Sequence, residues 1–142
     1  MDIEEKLRYV LKDEIYKRND KSEVLAAFER LNVKVSNIFG KFYMNYEGPF
    51  WSENMGTELL DIINGDANIE KLTIICRGEF DFPKKYLVLT ELTVGEVIVF
   101  DSISDKVFRV DFEGGDEMLR EGKLKAEWGS FEEFLSEYFS KE

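Results

Sequence analysis

The sequence predicts an α+β fold: a central antiparallel sheet with helices packed mainly on one face, N-terminal helices first and a C-terminal closing helix last. Three observations carry this. Residues 96–100 hold Val97, Ile98, Val99 and Phe100 with no polar alternation, so this strand is expected to be buried on both faces, near the middle of the sheet. Residues 108–112 alternate, with Phe108, Val110 and Phe112 on one face and Arg109 and Asp111 on the other, which is the period of a half-buried antiparallel strand. Apolar residues at helical spacing occupy residues 2–46 and return at 130–139.

The elements follow in order. Residues 2–16 read as a helix with Ile3, Leu7, Val10, Leu11 and Ile15 inward, and Asp2, Glu4 and Glu5 at its positive end. Residues 17–21, KRNDK, are a polar break. Ser22 is expected to cap a second helix to about residue 31, with Leu25, Phe28 and Leu31 as its stripe. Ser36 caps a third over 37–46, with Ile38, Phe39, Phe42 and Tyr43 on one side, stopped by Glu47, Gly48 and Pro49. Residues 50–56 read as a loop bearing Phe50 and Trp51. Residues 58–63 favour a strand over a helical turn, and 64–66 a turn. Residues 69–76 fit either state, with Asn68 available as a helix cap, and 78–83 break the pattern. Residues 86–92 are a strand, 93–95 a tight connection, and 101–105 a turn whose Asp and Ser side chains bond local backbone. Residues 113–116 end the sheet, and 118–125 are weakly amphipathic. Ser130 and Glu133 form a capping-box pattern, opening a helix with Phe131, Phe134, Leu135, Tyr138 and Phe139 on one stripe.

With 142 residues, residues 1–142 are expected to form a single domain large enough to need no metal or disulfide. One cysteine, Cys76, allows no intrachain disulfide and suits a reducing cytoplasm. The charged N-terminus has no signal-peptide core, and no run reaches membrane-span length, so a soluble cytoplasmic protein is expected. The net charge is −11, and residues 101–142 carry twelve acids against six bases. This balance disfavours direct nucleic acid or membrane binding and would attract a basic partner, although plain solubility is the commoner use of such an excess.

The chain has no histidine, which removes the commonest general base, the usual hydrolase triads and the commonest zinc ligand. Cys76 lies in the run LTIIC and reads as a core thiol, and no phosphate-binding glycine loop is present. We expect no enzyme activity, no cofactor and no metal. The D-x-E-x-x-D-E run from Asp111 to Glu117 lacks the calcium-loop pattern. Its acids, with those of the 101–105 turn, are expected to form an exposed acidic face. The candidate partner-binding residues are therefore Asp101, Asp105, Asp111, Glu113, Asp116, Glu117 and Glu121, with Phe50 or Trp51 as an apolar anchor.

Several stretches resemble the SUKH superfamily, which contains yeast cell-wall assembly regulators and many small bacterial immunity proteins. They are FYMNYEGPFW, with Tyr46-Glu47-Gly48 at the family's turn after a helix; YLVLTEL followed by GEVIVFDSISDKVFRVDF, like its core sheet; and WGSFEEFLSEYF, like its closing helix. The likeness covers about residues 22–139. The family's Leu-Pro before the third helix is replaced by Val35-Ser36, and its turn asparagine by Glu47. The resemblance implies a binding protein without shared catalytic residues: an immunity protein neutralising the toxic, nuclease-type domain of a cognate toxin, or alternatively a regulatory protein-binding scaffold. On either reading a monomer or weak homodimer is expected.

Overall fold

A computed structural model describes residues 2–92 and 95–140; the connection expected at 93–95 lies partly outside them. Helix α1 spans Ile3–Val10, capped by Asp2, whose carboxylate accepts from the Glu5 N–H at 2.8 Å. It stops well short of residue 16. The chain turns at Lys12 and Asp13 into a single 3-10 turn, Glu14–Tyr16, and Ile15 is 76% exposed rather than inward. That reversal lets the Tyr16 ring stack on Phe50 and its carbonyl accept from the Glu47 N–H at 2.9 Å.

Helix α2 spans Lys21–Leu31 and buries Val24, Ala27, Phe28 and Leu31. Leu25, expected in that stripe, is exposed, because it stands about 100° around the helix from Val24. The start also differs: Asp20, not Ser22, holds the cap position, and its carboxylate is taken by Arg18. Helix α3, Asn37–Asn45, begins as expected with Ser36 accepting from the Phe39 N–H at 3.2 Å.

Residues 50–56 are not a loop. Strands β1, Phe50–Ser52, and β2, Thr57–Leu59, form an antiparallel hairpin, and the expected strand over 58–63 ends at Leu59. Helix α4, Ile69–Glu79, settles the ambiguous stretch: Asn68 accepts from the Lys71 N–H at 2.9 Å, and the helix runs through Gly78. Strands β3, Tyr86–Val88, β4, Glu96–Asp101, and β5, Val107–Asp111, form a second antiparallel sheet with β4 in the middle. Helix α5 is Gly115–Arg120 and helix α6 is Phe131–Tyr138.

The three-stranded sheet divides the interior. On one face Leu87, Ile98, Phe100 and Val107 meet the apolar stripes of α1, α2, α3 and α6, with the Phe39 and Phe100 rings stacked 4.3 Å apart. On the other, Tyr86, Val88, Val97, Val99, Phe108 and Val110 meet Cys76 of α4, Phe82 and Leu119 of α5. Helices thus lie mainly on one face, while α4 and α5 close the second. This is why β4 is apolar at every position from Val97 to Phe100.

One charged pair lies inside. The Arg18 guanidinium donates to Asp61, and both side chains are fully buried. Asp61 also accepts from the backbone N–H groups of Gly48, Ile63 and Asn64, and Arg18 donates to Asp20 and the Tyr46 carbonyl. This node joins the segment before α2, the turn after α3 and the chain leaving β2.

Candidate functional site

The β4–β5 turn does not present its acids to solvent. Asp101 is 4% exposed, and one carboxylate oxygen accepts from the N–H groups of Ile103 and Ser104 at 2.9 and 3.2 Å. Lys85 stands 3.5 Å from the other. Asp105, in the left-handed region at φ +69°, turns inward, and its Oδ2 accepts from the Phe131 N–H at the start of α6. Its Oδ1 is buried and has no hydrogen-bond partner among the described residues. A short acidic side chain in a tight turn finds backbone N–H groups before it finds a partner protein.

The exit from β5 follows the same rule. Asp111 accepts from the N–H groups of Glu113 and Gly115 at 2.9 and 3.0 Å, so it caps the start of α5. Asp116 pairs with Arg120 at 3.2 Å. Burial raises the Asp116 carboxyl, but the Arg120 hydrogen bond and nearby backbone donors outweigh it and hold the group below its ordinary range. Glu121 lies 3.6 Å from Lys123. Of the expected acidic set, Asp111, Glu113 and Glu117 are exposed and make no ion pair with a described residue, and of these Asp111 is already held by backbone N–H groups.

The two expected aromatic anchors separate. Phe50 is 1% exposed, among Tyr16, Phe42 and Phe139, and cannot reach a partner. Trp51 is 59% exposed. The cause is the two-residue period of the newly found strand, which sends neighbours to opposite faces. In the hairpin register Trp51 stands directly opposite Glu58. Trp51, Gly56, Thr57, Glu58 and Glu91 line a shallow hollow of about 320 Å³. Glu53 and Trp51 also border a larger hollow of about 720 Å³, whose apolar wall includes Val10, Leu11 and Tyr16. Glu53, Glu58 and Glu91 are exposed, and none makes an ion pair with a described residue. Beyond them Arg109 is held between Glu96 at 3.1 Å and Glu127 at 3.0 Å, so that cation is already neutralised.

The hairpin carrying Trp51 is braced from below. The buried Tyr138 hydroxyl lies 2.6 Å from the Thr57 carbonyl and 3.1 Å from that of Phe50, both of which accept from it. Burial pushes this phenol up, outweighing a backbone hydrogen bond at Leu59. Asn54 donates to the Glu137 carbonyl at 3.1 Å and to Ser140 at 3.0 Å. Within the turn, the Ser52 carbonyl accepts from the Gly56 N–H at 2.8 Å, and Gly56 has φ +63°, which favours glycine.

The acids Glu53, Glu58 and Glu91 were absent from the sequence-based set. A signal for the first two existed: Phe50 and Ser52 against Trp51, then Leu59 against Glu58, alternate around a four-residue turn containing glycine. Glu91 had no local signal, since only the fold brings it beside the hairpin. Among the described residues no group of three or more His, Cys, Asp or Glu is placed to hold a metal ion, and no helix is long and apolar enough to cross a membrane. No protein-family model matches the chain, and no curated protein matches it significantly.

Proposed function

We propose that this protein is a cytoplasmic immunity protein, which binds the basic, nuclease-type toxic domain of a cognate toxin and blocks its substrate surface. The observation that carries the reading is Trp51, an exposed large aromatic that lines one hollow with Glu58 and Glu91 and a second with Glu53, on a braced hairpin of a chain with net charge −11. Aromatic anchors supply binding energy at protein interfaces, and surrounding charge of one sign selects and steers a partner of the other. A surface that holds nucleic acid phosphates is cationic, so carboxylates around an apolar anchor complement it. The SUKH-like stretches point to the same role.

The test is co-expression with the toxin domain encoded beside this gene. Growth is restored by the native protein, and Trp51→Ala combined with Glu58→Lys abolishes protection while leaving the circular dichroism spectrum intact. A neighbouring product that is harmless alone, or that stays lethal beside the native protein, rejects immunity. Protection retained by the double variant rejects the Trp51 surface.

A further inference from the structure

A groove of about 660 Å³ lies between α1 and α3. It shares no lining residue with the Trp51 hollows. Helix α1 contributes Ile3, Glu4, Leu7 and Arg8, and helix α3 contributes Ile38, Lys41, Phe42 and Asn45 at helical spacing. Both helices pack on α6, and the groove is left between them. Its floor is apolar: Ile3, Leu7 and Phe42 are buried members of the main core. Its rim is cationic. Arg8, Lys21 and Lys41 face a single carboxylate, Glu4, which lies 3.6 Å from Lys41. Arg8 and Lys21 make no ion pair with a described residue.

We infer that this groove binds a free long-chain carboxylate, with its acyl chain along the apolar floor and its head group at the cationic rim. The volume lies within the range of about 300–1,000 Å³ typical of small-molecule sites, and a few charged groups around an apolar floor is their usual composition. The rim selects the sign of the head group: a carboxylate meets unpaired guanidinium and ammonium donors, whereas a cationic head meets repulsion.

The experiment titrates the full ¹⁵N-labelled chain with sodium dodecanoate below its micellar concentration. Saturable amide shifts confined to α1, α3 and Lys21 are expected. Arg8→Glu combined with Lys41→Glu, both at exposed positions, should weaken binding by about tenfold or more while the circular dichroism spectrum stays that of the folded chain. Dodecyltrimethylammonium should leave the same amides unmoved. Non-saturating shifts, equal binding by the charge-reversed variant, or equal binding of the cationic amphiphile each overturn the inference. So does a response to phosphatidylglycerol vesicles in the absence of one to free dodecanoate, which would mark a membrane-facing patch instead.

Discussion

Asp61 accepts from the buried Arg18 and from three backbone N–H groups, so its loss and the loss of Arg18 differ in kind. Arg18→Ala leaves a buried carboxylate without its cation, at a cost of about 3–5 kcal/mol. Asp61→Ala leaves the buried Arg18 guanidinium only Asp20 and the Tyr46 carbonyl, and it also unpairs the N–H groups of Gly48, Ile63 and Asn64, each worth a further ~1–3 kcal/mol where water cannot reach. Urea unfolding should therefore rank Asp61→Ala as the less stable variant. Cys76 makes a second prediction. Burial, helped by the nearby Glu79 charge, pushes its thiol up to about 11. At pH 8 a disulfide reagent should label it far more slowly in the native chain than in urea. The folded state also keeps this proton when the unfolded chain gives it up. Stability should fall as pH rises from the ordinary thiol range through about 11, with the buried Tyr43, likewise raised by burial, adding loss at higher pH.

At the level of elements, β1–β2 is a hairpin with no third strand among the described residues, and an isolated hairpin of that size is marginal in water. The Tyr138 hydroxyl and Asn54 couple it to α6. Tyr138→Phe keeps the ring packing and removes the donor, costing about 1 kcal/mol. Amide hydrogen exchange should accelerate in Phe50–Ser52 and Thr57–Leu59 while β3, β4 and β5 keep their protection. Uniform acceleration across both sheets would mean that the hydroxyl supports the whole core. Helix α6 itself was readable beforehand. Ser130 accepts from the Glu133 N–H at 3.1 Å, Glu133 reaches back to the Gly129 N–H at 2.8 Å, and all five residues of the expected stripe are buried.

For the whole molecule, the excess of 30 acidic over 19 basic residues sets a field that acts before contact. Association with a basic partner should slow by about tenfold or more between 50 mM and 500 mM salt, while dissociation changes little; stopped-flow tryptophan fluorescence, in which Trp51 is the exposed one of the two tryptophans, reads both rates. A salt-indifferent association rate would remove steering while leaving the Trp51 contact in place. The sequence by itself determined the α+β class, the doubly buried β4, the alternating β5 and the capped ends of α3 and α6. Each of these rests on periodicity or on a cap within a few residues, which the local chain dictates. It also determined the sign of the charge. Only the tertiary structure decided which acids are free. Asp101, Asp105 and Asp111 are drawn into turns and a helix start, Asp116 into a pair with Arg120, and Glu91 is carried beside Glu58 by chain folding. Whether a carboxylate faces solvent depends on which N–H groups and cations come within about 3 Å of it, and those neighbours are set by the packed fold.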